Sequence, residues 1–338
     1  MPPMIPGPPG PEKTGVGPRT TTPTLGRVKS PPLRHDAIQN WLGGDAVVVG
    51  IGRRTALTGG ATAPVVERVE IAYETSAGSG LVDVVAKRAT RGEVAALNSL
   101  GIVEPVFADL IDSGLDEDGP WIVVPFEAGG VIGWTVEPPA VVYAALARLH
   151  LRHLGRVEEL PAEIPQVDEQ FLRSAFTGFA PGGIARAAAR QGPHQVFDRA
   201  LELLARFVED ERLLLGLEVL PSTLIHGDVY GDNVIAAAPG GCPRLIDWGS
   251  ARIGPAMLDV VMAARRVGVA KYKEAWAAKG GTPMDDWLAA TGEAWATAVS
   301  NATFVGATAE RSVEVAEFLL DEAEEAIDRL GRQLSRRT

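Results

Sequence analysis

Cysteine is nearly absent from this sequence, since Cys242 is the only one among 338 residues. A single cysteine excludes an intrachain disulfide framework and a zinc site built from several cysteines. Aromatic residues make up only 6% of the chain. No apolar run approaches the roughly 20 residues of a membrane-spanning helix, and the first residues do not resemble a secretory signal peptide. We therefore expect a cytoplasmic protein with no membrane partner.

Positive charge is also in short supply. The chain has 32 Lys and Arg against 43 Asp and Glu, which gives a net charge of −11 at pH 7. This balance argues against nucleic acid as a partner and favours a cationic substrate. What the chain does contain is 46% hydrophobic and 22% charged residues. At this length, that is enough for one large or two smaller domains with buried cores.

Composition divides the chain into three parts. Residues 1–33 hold ten of the 25 prolines and almost no large apolar residues, which predicts a disordered tail. The tail is either a passive extension or a docking segment for a partner. Residues 34–128 contain short β-rich runs separated by glycines, with one helix among them. Residues 129–338 are rich in long helices, interrupted by a β-rich block.

Hydrophobic periodicity and turn residues predict the elements within these parts. Predicted strands cover residues 46–55, 64–73, 81–89, 104–111 and 121–126, with an acidic hairpin tip at 112–119. Two more strands, at 222–226 and 244–247, are expected to hold the ends of the loop in the β-rich block. Predicted helices cover residues 37–42, 91–100, 139–154, 195–215, 259–278, 284–300 and 309–334. The expected fold class is α+β, with a small antiparallel sheet preceding a larger helical part.

The strongest chemical signal lies in the β-rich block. Residues 226–233 have the sequence HGDVYGDN, and Asp247 follows Asn233 by fourteen residues. Phosphoryl transfer from a nucleotide needs Mg²⁺, which prefers a few oxygen ligands besides the phosphates. Asn233 and Asp247 can supply such ligands. Asp228 can supply the separate carboxylate that orients an acceptor hydroxyl and receives its proton.

Together with the Ile246-Asp247-Trp248 context, this block resembles the aminoglycoside phosphotransferase and choline kinase family of the protein-kinase-like fold. The resemblance implies a bilobal protein. Residues 34–128 would form a β-rich, nucleotide-binding N-lobe. Residues 129–338 would form a helical C-lobe with the catalytic loop and the acceptor site.

The resemblance also implies roles for individual residues of the block. Asp228 would be the catalytic carboxylate, while Asn233 and Asp247 would bind magnesium. His226 and Asp259 would support the loop structurally rather than take part in the chemistry.

In this fold, a lysine on the third strand and a glutamate on the following helix position the nucleotide phosphates. Lys87 and Glu93 stand at these places and are six residues apart. Arg88 alternates with Lys87 along the strand, so we expect it on the opposite face, at the surface.

Two further segments are expected to contact the nucleotide. Gly59 and Gly60 lie in a turn where backbone amides could meet phosphates. Residues 50–52 are a competing glycine segment, and a plain hairpin turn remains possible at either place. Phe126, Glu127 and Ala128 resemble the hinge that binds adenine, although Pro125 removes one backbone donor.

The acceptor is marked less clearly. A row of acidic residues on the last predicted helix is either a solvated face or a carboxylate wall for a cationic acceptor; it comprises Glu310, Glu314, Glu317, Asp321 and Glu325. His150 and His153 are expected to serve packing and capping rather than metal binding.

The resemblance implies an ATP- or GTP-dependent, Mg²⁺-requiring kinase that phosphorylates a hydroxyl of a small molecule. A cationic antibiotic, as in antibiotic resistance, or an amino-sugar-like metabolite would fit. One alternative is a kinase for Ser or Thr of a peptide in ribosomal-peptide maturation. Another is a non-catalytic, pseudokinase-like binding module, which the presence of all five expected residues disfavours; these are Lys87, Glu93, Asp228, Asn233 and Asp247.

Overall fold

A computed structural model of the protein describes residues 28–57, 63–101, 104–237, 241–282 and 284–336. A small antiparallel sheet with two helices comes first, and helices dominate the rest. The expected α+β class, with a small antiparallel sheet before a larger helical part, is thereby confirmed. Within the described ranges, no helix combines the length and the apolar character needed to cross a membrane.

The small lobe is a five-stranded antiparallel sheet with strand order β1-β2-β3-β5-β4. Its strands are β1 (Val47–Ala56), β2 (Val66–Thr75), β3 (Gly78–Arg88), β4 (Asp112–Asp116) and β5 (Gly119–Pro125). Helix α1 (His35–Leu42) precedes the sheet, and α2 (Arg91–Ser99) follows β3. Alternation of side chains along the strands buries Val69, Ile71 and Val84 against Ile38 of α1. This apolar layer fixes β3, and with it the position of Lys87.

The strand predicted at residues 104–111 is wrong. Apart from a bridge between Phe107 and Leu245, its described part is irregular, and β4 begins at Asp112. Arg34 Nε donates to Asp112 Oδ2 at 2.7 Å. This ion pair allows an acidic residue to lie buried within the strand. Most of the predicted acidic tip at 112–119 is therefore strand, and only the turn between Asp116 and Gly119 remains.

Residues 28–33 were assigned to the tail, but the structure holds them against the sheet. Pro31 is buried, and its carbonyl accepts a hydrogen bond from Arg54 Nη2 at 3.2 Å. The carbonyl of Lys29 accepts from Arg88 Nε at 3.0 Å. The rest of the predicted tail, residues 1–27, lies outside the described residues.

The expectation that Arg88 lies at the surface is wrong, since its side chain is only 3% exposed. Its guanidinium donates to Asp116 Oδ1 at 2.6 Å, to the Gly119 carbonyl and to the Lys29 carbonyl. Alternation along β3 does place Lys87 and Arg88 on opposite faces. Both faces are covered here, one by α2 and the other by the N-terminal segment, so both charges are buried.

The helical lobe contains eight α-helices in its described part: α3 (Ala140–His153), α4 (Glu169–Ser174), α5 (Ala180–Gln191), α6 (Gln195–Val208), α7 (Glu211–Val219), α8 (Met257–Ala278), α9 (Asp286–Ala309) and α10 (Val313–Leu334). Helices α4 and α5 were not predicted. The helix predicted at 195–215 splits into α6 and α7, because Asp210 accepts a hydrogen bond from the Arg212 amide and caps a new helix. Ser312 likewise caps α10 through the Val315 amide.

Two short two-stranded sheets lie between α7 and α8. Strand β6 (Ser222–Ile225) pairs with β9 (Arg252–Pro255), and β7 (Val234–Ile235) pairs with β8 (Arg244–Leu245). The sequence predicted that strands at 222–226 and 244–247 hold the catalytic loop between them. They instead belong to different sheets, and the loop connects β6 to β7.

Candidate active site

The loop of residues 226–233 depends on close backbone approaches. Gly227 has φ +78°, and a Cβ there would overlap the Ser250 carbonyl. A Cβ at Gly231 would overlap the Gly133 carbonyl. Glycine is therefore needed at both positions, where the loop packs against the segments that follow Asp247 and β5.

Asp259, in the first turn of α8, holds the start of this loop. Its fully buried carboxylate accepts hydrogen bonds from the amides of His226 at 2.8 Å and Gly227 at 2.7 Å. His150 Nε2 lies 3.2 Å from the same carboxylate, and the Tyr272 hydroxyl lies 2.8 Å from His150 Nδ1. A neutral His150 with its proton on Nε2 satisfies every group, because Tyr272 then donates to Nδ1.

Asp228 is fixed by its neighbour in the motif. Asn233 Nδ2 donates to both the carbonyl oxygen and Oδ2 of Asp228, each at 2.9 Å. Burial raises the pKa of Asp228 to about 7. The negative charges of Asp247 and Asp259 raise it as well, while the hydrogen bond from Asn233 lowers it in part. A carboxyl that titrates near neutral pH is well suited to accept a proton.

His226 has both ring nitrogens engaged. Nε2 donates to the Ile246 carbonyl at 3.0 Å, and Nδ1 accepts from the Asp228 amide at 3.3 Å. The ring also packs edge-on against Trp248, with 4.7 Å between centroids. Burial lowers the pKa of His226, which favours the neutral ring that these contacts require. The geometry therefore gives His226 no free nitrogen for proton transfer.

Lys87 joins the two lobes. Its Nζ lies 2.9 Å from Glu93 Oε1 and 2.5 Å from Asp247 Oδ1. Glu93 is held by the start of α2, where the Thr90 hydroxyl accepts from the Glu93 amide at 3.0 Å. Only six residues separate Lys87 from Glu93, and the cap at Thr90 shows how the helix begins soon enough to bring them together.

Burial and charge act in opposite directions on these three groups. Burial alone lowers the pKa of Lys87, but the charges of Glu93 and Asp247 outweigh it and raise the pKa. Burial raises the pKa of Glu93, and Lys87 offsets part of that shift. Burial by itself would raise the pKa of Asp247, but the charge and the hydrogen bond of Lys87 outweigh this effect. The net result is a lowered pKa, so Asp247 stays ionised.

Asp247 has an uncommon backbone conformation, with φ 62° and ψ 75°. Among the described residues other than glycine it is the only one with positive φ. Such strain often accompanies a functional constraint, and here it directs the carboxylate toward Lys87. The side chain is 36% exposed, so a ligand can reach it.

The oxygen atoms near Asp228 suit a hard cation. The described His, Cys, Asp and Glu side chains form no cluster of three or more that could hold a metal by itself. Magnesium bound together with a nucleotide needs only one or two protein oxygens. Asn233 uses its Nδ2 on Asp228, so its carbonyl oxygen faces no donor among the described side chains, and Asp247 contacts Lys87 through Oδ1 while its side chain is 36% exposed. Asn233 and Asp247 therefore fit a magnesium ion that is bound together with a nucleotide.

The predicted hinge directly follows β5. The Phe126 amide continues the sheet by donating to the Asp83 carbonyl at 3.0 Å, and Glu127 pairs with Arg244 at 3.0 Å. Within the described ranges, the backbone amides of Glu127 and Ala128 donate to no backbone carbonyl.

The two candidate glycine turns have different outcomes. Gly59 and Gly60 lie outside the described residues. The competing segment, residues 50–52, lies within β1, where the pairing with β2 shifts register on either side of it. It therefore belongs to a strand rather than to a loop between strands.

Three residues near the loop were missed by sequence reasoning. Tyr272 belongs to the network below the loop. Arg252 donates through Nε to the Ser250 carbonyl at 2.9 Å and lies over Phe171, and burial lowers its pKa while Asp228 opposes that shift. Arg311 Nη1 lies 2.7 Å from Asp232 Oδ2. These contacts span large sequence separations, and no motif marks them.

The acidic row on the last predicted helix is largely paired with basic side chains. Glu310 precedes α10 and pairs with Arg186 and Arg190 of α5. Asp321 pairs with Arg199 at 2.7 Å. Glu317 and Glu325 face His194 and Arg329. Apart from Glu310, the acidic side chains of this row are exposed, so the row is a solvated face with basic neighbours. These pairings do not favour an acidic wall for a cationic acceptor.

Solved structures with this fold include known kinases. A choline kinase from Cryptosporidium parvum shares 10% identity with a TM-score of 0.50, over 84% of this chain and 90% of its own. This likeness shows a shared fold. A Plasmodium vivax ethanolamine kinase shares 12% identity with a TM-score of 0.44, over 84% of this chain and 81% of its own. An aminoglycoside phosphotransferase from Streptomyces rimosus, in complex with ADP and streptomycin, shares 18% sequence identity with a TM-score of 0.38. The match covers 82% of this chain and 92% of that one.

A comparison with curated proteins gave no match. The profile of the phosphotransferase enzyme family (APH) matches residues 83–298, which is more than half of the chain and includes Lys87, Asp228 and Asp247. On this evidence the chain belongs to the phosphotransferase enzyme family, and it is an enzyme that transfers a phosphoryl group to an alcohol.

Proposed function

We propose that this phosphotransferase is a Mg²⁺-dependent kinase that moves the γ-phosphoryl group of ATP or GTP to a hydroxyl of a small molecule. The observation that carries the proposal is the convergence of Lys87, Glu93 and Asp247 beside the loop of Asp228 and Asn233. The complete set of groups argues against a non-catalytic binding module.

Asp228 is the group we assign to the acceptor. Asn233 holds its Oδ2, so Oδ1 receives the hydroxyl proton. The acceptor oxygen forms a bond to the γ-phosphorus while the bond to the bridging oxygen breaks, and the nucleoside diphosphate leaves with that electron pair. The proton on Asp228 then passes to solvent, so the products are a phosphate ester, a nucleoside diphosphate and one proton.

Asn233 Oδ1 and Asp247 Oδ2 are the atoms we assign to magnesium. When bound, the ion would neutralise charge on the phosphate oxygens. His226 and Asp259 keep these groups in register by holding the loop backbone, as their hydrogen bonds to the Ile246 carbonyl and to the loop amides indicate.

Lys87 provides a positive charge for the nucleotide phosphates, and Glu93 keeps that charge in place. We assign the nucleotide base to the amides of Glu127 and Ala128 and to the apolar side chain of Phe126. Gly59 and Gly60 remain our proposal for a phosphate-covering turn. The nucleotide would therefore lie between the two lobes.

The experiment is a Mg²⁺-dependent phosphoryl-transfer assay with ATP and GTP, for the wild-type protein and for Asp228→Asn. The acceptor panel contains aminoglycosides, choline-like alcohols, sugars, hydroxy acids and Ser/Thr peptides. Phosphorylation of a small-molecule acceptor that disappears in Asp228→Asn supports the proposal. Phosphorylation of peptides alone would show that the acceptor is a peptide rather than a small molecule. Phosphoryl transfer that survives in Asp228→Asn would contradict the mechanism.

A further inference from the structure

Three arginines lie together where the helical lobe reaches the catalytic loop. They are Arg186 and Arg190 of α5 and Arg311 of the turn between α9 and α10, and we call them the arginine corner. Their side chains are 58%, 66% and 45% exposed. None of them was singled out by the sequence motifs.

Arg311 ties the corner to the catalytic loop. Its Nη1 lies 2.7 Å from Asp232 Oδ2, and Asp232 is only four residues from Asp228. The same guanidinium lies over the ring of Trp134, with 5.4 Å to the centroid. Trp134 belongs to the segment after the hinge. Three distant parts of the chain therefore meet at the loop of residues 226–233.

The other two arginines are attached through Glu310, the residue before Arg311. Arg186 Nε lies 3.1 Å from Glu310 Oε1, and Arg190 Nη1 lies 2.6 Å from Oε2. Each guanidinium has five N–H donors, so the two carboxylates, Asp232 and Glu310, leave most of the donors of the corner unused. Asp232 and Glu310 are the carboxylates that pair directly with these three arginines.

Tyr230 connects this corner with Asp228. Its half-buried side chain stands in the loop between Asp228 and Asp232. Burial raises the pKa of the Tyr230 hydroxyl to about 12, the charges of Asp228 and Asp232 add to the shift, and the charge of Arg311 opposes it. A molecule whose hydroxyl reaches Asp228 and that extends past Tyr230 would approach Arg311.

We propose that the acceptor carries an oxyanion, either a carboxylate or a phosphate, and that the arginine corner binds it with Arg311 as a specificity-determining residue. The proposal rests on the kinase function proposed above and narrows its acceptor class. Guanidinium groups bind carboxylates and phosphates through paired, charge-assisted hydrogen bonds. A polyamine would need free carboxylates at this place, and both Asp232 and Glu310 are already held by arginine.

The test uses the full-length protein with Mg²⁺ and ATP and a series of acceptors on one ring: D-glucosamine, D-glucose, D-glucuronate and glucose 1-phosphate. Each compound is assayed for phosphorylation and for its effect on Asp228-dependent hydrolysis of ATP, which reports binding even without transfer. Glucuronate and glucose 1-phosphate distinguish a carboxylate from a phosphate. The KM for ATP shows whether an anion competes at the nucleotide site instead.

The variants are Arg311→Gln and, as a matched control, Arg206→Gln. Arg206 is similarly exposed and paired with Glu324, but it lies on α6. We expect an anionic compound to be phosphorylated, or to change the rate of ATP hydrolysis, at a lower concentration than glucose or glucosamine. Arg311→Gln should raise that concentration about 10- to 100-fold, with the KM for ATP unchanged, as expected for loss of a charge-assisted hydrogen bond. Arg206→Gln should leave it unchanged.

Three results would overturn the acceptor class: preference for glucosamine, equal responses of Arg311→Gln and wild type, or no response to any compound while Asp228-dependent hydrolysis persists. In each case the kinase proposal would stand, because the hydrolysis depends on Asp228. If hydrolysis and transfer are both unaffected by Asp228→Asn, the kinase mechanism itself fails.

Discussion

Asp247 Oδ1 lies 2.5 Å from Lys87 Nζ, and this contact joins residues 160 positions apart in the chain. Asp247 follows β8 in the helical lobe and has a left-handed backbone conformation, whereas Lys87 lies on β3 of the small sheet. Glu93 completes the group from α2. The site proposed for the nucleotide phosphates therefore depends on the relative position of the two lobes.

Replacing Lys87 should abolish most activity without unfolding the protein. We expect Lys87→Met to lower kcat about 100- to 1000-fold, because a preorganised positive charge is lost at the phosphates. Glu93→Gln should have a smaller effect, since Lys87 keeps its contact with Asp247. Steady-state kinetics measure both effects, and Arg54→Gln in β1 is the control. Near-normal activity of Lys87→Met would remove Lys87 from the site.

The pH profile should reflect Asp228. Burial raises its pKa to about 7, so below that pH the carboxyl is protonated and cannot accept the hydroxyl proton. We expect kcat/KM to fall as the pH drops through about 7, approaching tenfold per pH unit. An activity that stays constant between pH 5 and pH 8 would show that another group takes the proton.

The same shift should appear in stability. The folded-state pKa of about 7 lies above the usual value of about 4 for an unfolded aspartate, so the native state keeps a proton that the unfolded chain releases between these values. Stability from this group is complete below about pH 4 and is lost as the pH rises toward 7. Asp228→Asn cannot ionise, and we expect it to raise Tm by several degrees at pH 8 but little near pH 4.

Calorimetry at several pH values checks this expectation. Asp198→Asn, on the exposed side of α6, is the matched control and should show no such trend. An Asp228→Asn protein whose Tm difference from wild type is independent of pH would contradict the burial argument for Asp228.

Tyr272 should affect catalysis from below the loop. Tyr272→Phe leaves His150 Nδ1 without its donor and so loosens the Asp259 carboxylate that holds the His226 and Gly227 amides. We expect a loss of about 1–3 kcal/mol in the free energy of unfolding. We also expect kcat to fall several-fold while the KM for ATP stays unchanged. Tyr73→Phe in β2 is the control. Loss of stability without a change in kcat would limit Tyr272 to packing.

The sequence predicted the catalytic block well because its geometry is local. Asp228 and Asn233 lie on one short loop, and Lys87 and Glu93 are joined by one strand end and one helix start. Their mutual placement follows from a few backbone conformations. The structure brings these residues together as the motif implied, although their chemical roles remain to be tested.

Other features could not be predicted because they depend on what covers each surface. Arg88 was expected outside, since alternation shows the face of a residue but not whether a distant segment lies over it. Arg311 and Tyr272 meet the loop only through the packing of helices. Residues 104–111 have strand-like composition, but β4 takes the place beside β5, and Phe107 bridges to Leu245 of β8 instead.

The most direct test of the central claim follows the γ-phosphoryl group itself. ATP labelled in that group is incubated with Mg²⁺, an acceptor mixture and either the wild-type protein or Asp228→Asn, and the labelled products are separated. Our account predicts a labelled phosphate ester of a small-molecule hydroxyl from the wild type, no labelled ester from Asp228→Asn, and loss of transfer when magnesium is chelated. Equal labelled product from the two proteins would contradict the assignment of Asp228 and the mechanism built on it.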